Sequence, residues 1–200
     1  MKLKLLACAA VLTLAACATP STGPDATARF DRFEYASGAV DFSSYDQVFI
    51  APITASDELK ELVGYRPMGP SDTKRPITLD DLGDKAEDLD DEVRTALGGV
   101  VELVGAGGPG ILTLEVEMTK LEANRPTQAD MIAEPSLSLQ SVYAGKAEVM
   151  VTFSENGRVL ATAVDGDYPT LNDTLPPAPI WSTVNQYYSR LARKLADLMS

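Results

Sequence analysis

The hydrophobic pattern of the chain changes period several times, and each change marks an element. From residue 79 the apolar positions Leu82, Ala86, Leu89, Val93 and Ala96 or Leu97 recur at steps of three and four, which predicts an amphipathic helix. Thr78 and Asp81 match a capping box at its start, Asp80, Asp81 and Asp84 suit the positive end of its dipole, and Gly98 and Gly99 supply a terminator. Over ILTLEVEMTKL the period drops to two, with Leu112, Leu114, Val116 and Met118 alternating with Thr113, Glu115, Glu117 and Thr119, so a half-buried strand is expected. GKAEVMVTFSENGRVLATAVD places two strand-like runs around Asn156-Gly157, a pair suited to a type I′ hairpin turn because both central positions need positive φ. That turn predicts Glu155 opposite Arg158, Phe153 opposite Leu160, Val151 opposite Thr162 and Val149 opposite Val164. A helical stripe returns at the end of the chain with Trp181, Val184, Tyr188, Leu191, Leu195 and Leu198, read as core rather than as a partner-binding or membrane-lying face.

Upstream, DQVFIAPI at 46–53 reads as a strand with Pro52 near its end, residues 57–63 as two helical turns, and 64–78 as a polar connection whose glycines and prolines preclude a continuous helix. The expected architecture is α+β, one domain, with a mostly antiparallel sheet of four to five strands and two amphipathic helices packed on one face. Gly105, Gly107 and Gly110 formally satisfy G-x-G-x-x-G, but a strand follows them instead of the helix whose amides would face a pyrophosphate. They are read as a flexible hairpin loop. The segment 122–144 is long for a connection in a compact domain, and such loops are usually functional or disordered. Its apolar residues Met131, Ile132, Leu137, Leu139, Val142 and Tyr143 make it either a cover for the open sheet face or a loop that binds another envelope protein or a lipidic ligand.

The N-terminus changes the picture from fold to address. Lys2 and Lys4 precede an apolar run from Leu5 to Leu14, and Leu14-Ala15-Ala16-Cys17 has the lipobox pattern of a bacterial lipoprotein signal. The run is shorter than the ~20 residues a transmembrane helix needs. Lipidation is expected at Cys17, with residues 1–16 removed, and burial of acyl chains at about 0.8 kcal/mol per CH₂ would make the anchor stable. The resemblance to bacterial lipoprotein signals implies, from Ala18 after the cysteine, export to the outer membrane. Residues 17–34 are read as the lipidated cysteine and a flexible tether, with ATPSTGPDATA at 18–28 too poor in apolar bulk to order, and residues 35–200 as the domain.

Processing would leave 15 basic residues against 29 acidic ones, a net charge of −14. Nucleic acid and electrostatic docking on anionic lipid both call for clustered Lys and Arg, so this balance argues against them, although Arg190, Arg193 and Lys194 concentrate some positive charge locally. With no histidine anywhere and no cysteine beyond Cys8 and Cys17, catalytic triads, Cys-His pairs and histidine–zinc sites are excluded. The acidic residues Asp84, Glu87, Asp88, Asp90, Asp91 and Glu92 lie on a regular helix rather than a bent cation-binding loop. No metal or cofactor is expected, and no catalytic residue is assigned. Paired carboxylates acting on cell-wall glycans are the competing enzymatic reading.

The stretches DFSSYDQVFIAPI, GPGILTLEVEMTKLEANRP and GKAEVMVTFSENGRVLATAVDG, with the terminal helix opened by Ile180-Trp181, resemble an uncharacterised bacterial lipoprotein family, domain of unknown function 3313. The resemblance implies an envelope lipoprotein and carries no catalytic signature. The expected role is binding or assembly at the outer membrane, facing the periplasm, with an envelope protein as partner and an auxiliary subunit of a transport system as the nearest specific version.

Overall fold

The computed structural model describes residues 26–65, 76–123, 132, 145–167 and 180–200. After a short 3-10 turn at Ala26–Arg29 come strand β1 (Arg32–Tyr35), a second such turn at Phe42–Ser44, β2 (Gln47–Ile50) and β3 (Thr54–Ala55). Helices α1 (Asp57–Glu61) and α2 (Leu79–Leu97) follow, then β4 (Glu102–Leu103), β5 (Leu112–Glu122), β6 (Lys146–Glu155), β7 (Arg158–Asp167) and α3 (Ser182–Leu198). All seven strands join one sheet in the order β1-β7-β6-β5-β2-β4, with β3 also paired to β5.

The class is α+β, with helices on one face, but the sheet is larger than expected and mixed. β5, β6, β7 and β1 run antiparallel in turn, whereas β2 is parallel to both β4 and β5. Alternation in a sequence reports which side chains share a face and is silent on strand direction. α2 is the crossover that makes β2 and β4 parallel neighbours. Pro52 divides the predicted strand 46–53: β2 ends at Ile50, and β3 resumes the same path along β5 at Thr54. The glycine segment is not a hairpin loop, because β4 and β5 lie on opposite sides of β2 and the chain must cross it. Gly107 makes the crossing possible, since a Cβ there would come within 2.6 Å of Thr113 Oγ1.

The Asn156-Gly157 turn forms as predicted, with φ of 49° and 78°, and pairs Glu155 with Arg158. Beyond it the register differs. A bulge at Leu160 leaves Ser154 opposite Val159 but places Phe153 opposite Ala161, Val151 opposite Ala163 and Val149 opposite Asp165. The bulge reverses the outward parity of β7, so Ala161, Ala163 and Asp165 face the helices while Thr162 and Val164 turn away. A bulge at Thr119 acts likewise on β5, returning Leu121 to the buried face already occupied by Leu112, Leu114, Val116 and Met118.

The core lies between that face and the helices. Leu82, Leu89, Val93 and Leu97 of α2 meet Val184, Tyr188, Leu191, Leu195 and Leu198 of α3, so the terminal stripe is core. The capping box at α2 is present, with the Asp81 amide donating to Thr78 Oγ1 at 3.0 Å and the Thr78 amide to Asp81 Oδ2 at 2.9 Å. Ordered structure also begins earlier than position 35. Arg32–Tyr35 is the edge strand beside β7, and Phe30 is buried, so the last part of the 17–34 span belongs to the folded body. Phe30, Phe33, Phe42 and Phe153 form a continuous aromatic cluster that holds it there.

Candidate functional site

The side of the sheet away from the helices carries half-buried and exposed residues. Glu115 and Glu117 of β5 point to it, beside Met150 and Thr152 of β6 and Thr162 and Val164 of β7. Where Pro52 interrupts the strand, this face is indented by a groove of about 360 Å³ lined by Ala51, Pro52, Thr54, Glu115, Val116, Glu117, Met150 and Thr152. Neither Glu115 nor Glu117 has an ion-pair partner among the described residues. Farther along the same face Lys120 Nζ donates to Glu148 Oε2 at 2.8 Å, and Thr119 Oγ1 to Glu148 Oε1 at 2.8 Å.

Chemically the groove offers hydrogen-bond acceptors and negative charge above a small apolar floor. Glu115 and Glu117 are alternate positions of one strand, so they stand side by side on that floor. A glycoside bond is instead flanked by carboxyls from two sides. Among the described residues no group of three or more acidic or thiol side chains is placed to hold a metal ion. The acidic run of α2 is instead spread over its solvent side, where Asp80, Asp84, Glu87, Asp91 and Glu92 are exposed.

Charged groups on the helix side serve packing. Asp165, buried on β7, accepts from Lys194 Nζ at 2.7 and 2.9 Å, and Tyr187 donates to the Asp165 carbonyl at 2.6 Å. Burial pushes the Asp165 carboxyl above its ordinary value, and the Lys194 hydrogen bond and charge oppose that shift. Lys85 is buried where α2 meets α3; its ammonium binds Asp88, reaches Asn185 Oδ1 at 3.1 Å and lies 5.6 Å from the Trp181 ring centre. Tyr188 donates to Met118 Sδ at 3.2 Å, and burial, aided by Asp88, holds its phenol protonated well above the usual range.

Cys17 lies outside the described residues, as do Met131, Leu137, Leu139 and Tyr143 of the proposed loop. Ile132 is described and is 74% exposed. The register locates the loop's ends: Glu122 is paired with Lys146, so the chain leaves β5 and re-enters β6 at adjacent points. Two to five residues suffice to join such strands. Ala147 is paired with Asp167 at the same end, where β7 stops. The groove itself escaped the sequence reading, though Glu115 and Glu117 at alternate outward positions were its signal.

A family model described as Protein of unknown function (DUF3313) matches residues 22–195. A search of curated proteins gave no match. Among solved structures the chain is similar to PelC dodecamers from Paraburkholderia phytofirmans in two crystal forms, one of them a point variant. Each shows 10% identity and a TM-score of 0.42 over 82% of this chain, covering 96% of one PelC chain and 97% of the other.

Proposed function

This chain belongs to the DUF3313 family, and from that premise we propose that it is a lipid-anchored envelope protein of the outer membrane that works by binding or assembly rather than by catalysis. The observation that carries the proposal is Leu14-Ala15-Ala16-Cys17 behind a basic, apolar leader. Two features support a binding role: the groove bearing Glu115 and Glu117, and a β5–β6 connection far longer than the turn requires. An envelope protein is the partner, and the nearest specific version is an auxiliary subunit of a transport system.

Growth with labelled palmitate tests the anchor: label on the wild type and none on Cys17→Ala is expected, whereas an unlabelled protein with a bare thiol overturns the reading. Crosslinking in intact envelopes tests the role. A defined protein partner, lost on deleting residues 126–141 with the fold retained, is the expected outcome. Partner capture that survives the deletion refutes the loop's part in it. Cleavage of isolated peptidoglycan, abolished by Glu115→Gln or Glu117→Gln, would replace the binding role with hydrolysis.

A further inference from the structure

β1 is an edge strand: β7 lies on one side of it, and among the described residues no strand lies on the other. From Asp31 to Ala39 every residue but Phe33 is exposed. The hydrogen-bond phase of the edge follows from its far end, where the Ala36 amide donates to the Leu160 carbonyl at 2.8 Å, in register with the pairing of β1 and β7. Backbone groups along an antiparallel strand alternate in direction. Arg32 and Glu34 therefore turn their N–H and C=O groups toward β7, and Phe33 turns its own outward. An outward-facing edge of this kind is a template for another strand.

The side chains alternate too. Arg32 and Glu34, opposite Val164 and Thr162, stand on the open face with 64% and 70% of their side chains exposed. Phe33 points to the helix side, where it meets Phe30, Phe42 and Phe153. Charge on an edge ordinarily discourages a second strand. Here the two charges are opposite in sign and flank Phe33 symmetrically, which makes the strand complementary to itself. A second copy laid antiparallel and centred on Phe33 places Glu34 opposite Arg32 and Arg32 opposite Glu34, and unlike charges directly across a strand pair stabilise it where like charges do the reverse. The outward N–H of each Phe33 then donates to the outward C=O of the other. The contact of Arg32 with Glu34 inside one strand, 3.6 Å, becomes one side of a ring of four alternating charges. β1 itself carries no net charge, so two copies meet there without the repulsion that a chain of net charge −12 imposes elsewhere.

We propose that β1 is a self-association edge, which joins two copies of this chain antiparallel about a two-fold axis at Phe33 and makes their two sheets continuous. Any strand would match the hydrogen bonds; the order of signs selects a second copy. Four residues bury little surface, so the pair is a weak one, below the area of stable interfaces. The inference stands apart from both the lipid anchor and the groove.

Disulfide trapping suits a weak pair. Arg32→Cys and Glu34→Cys, each in the full chain with its own tag, are coexpressed, and intact cells are treated with copper phenanthroline. In the proposed register the two positions face each other with Cα atoms about 4.5 Å apart, within disulfide reach, whereas either variant paired with itself lies on a diagonal of about 7–8 Å. Linked dimer several-fold more abundant from the mixture than from either variant alone is expected, above the parent chain with only Cys8 and Cys17. Charge reversal gives a second readout, as capture between differently tagged full chains after brief formaldehyde treatment. Arg32→Glu and Glu34→Arg should each lose self-capture several-fold, and the two together should regain it, because the mixture restores unlike charges at both crossing points. A variant that had merely unfolded would not be rescued by mixing. Equal trapping in all three cysteine combinations, none above the parent, a different protein trapped in place of the second copy, or no recovery in the charge-reversed mixture overturns the proposal.

Discussion

The two faces of the sheet are made by the same strands and obey different rules. On the helix side every position of β5 from Leu112 to Met118 that points inward is sealed, and Val149, Val151 and Phe153 of β6 continue the layer. On the other side the intervening residues are Thr113, Glu115, Glu117, Met150 and Thr152, half-buried or exposed. Volume matters on the first face, since an interior packed to crystal-like density registers the loss of single methylenes. On the second the side chains are half-buried or exposed, which leaves them available for contacts outside the fold. The two bulges keep these faces distinct, because without them Leu121 and Asp165 would each fall on the opposite side.

The sharpest way to break the comparison is to exchange truncations across it. Phe153→Ala removes the ring shared by Phe33 and Phe42 and should cost about 3–5 kcal/mol in urea unfolding. Thr152→Ala, one residue away on the groove side, should stay within about 0.5 kcal/mol. Similar costs for both would show that the groove face is also packed core.

Charge gives the next largest effect. Lys194→Ala strands the buried Asp165 carboxylate and should cost about 3 kcal/mol at neutral pH. The loss should shrink toward acid as Asp165 takes a proton. In the wild type the folded carboxyl titrates above its ordinary 3.8, so the native state holds that proton more tightly than the unfolded chain does. The stability Asp165 contributes is complete below pH 3.8 and is lost as pH rises through its raised value. Measured against Asp165→Asn, wild-type stability should accordingly decline over that window and then level off. A difference that grows with pH would refute the assignment.

Two smaller effects refine the picture. Gly107→Ala forces a methyl against Thr113 where the crossing loop covers part of the open face, with an expected loss of about 1–2 kcal/mol. Adding Thr113→Ala should restore most of it in a double-mutant cycle. Thr78→Ala removes the cap of the covering helix and should lower stability by about 1 kcal/mol, read as a fall in thermal midpoint.

What could be read from the chain divides along physical lines. α2, with its capping box, the Asn156-Gly157 turn and the α3 stripe were legible because each is written in residues a few positions apart. The bulge at Leu160 was not: Leu160 and Ala161 are consecutive, both are buried, and either fits an alternating pattern. β1 escaped because four residues reading RFEY sit beside a polar stretch, and their strand character comes from pairing with Ala161 to Val164. The parallel placement of β2 between β4 and β5 is likewise a long-range fact. Of the candidate site, the outward glutamates were visible but the groove was not, since it depends on Pro52 breaking the strand next to them.

Among the described residues β1 is the first strand and β7, the strand it joins, is the last. A ribosome releases the N-terminal end first. Phe30, Phe33 and Tyr35 must therefore wait, without their partner, for almost the whole polypeptide to be made before the sheet can be closed at that edge. Contacts so distant in sequence are slow to form. Until the final hairpin arrives those rings have only one another and Phe42 to pack against.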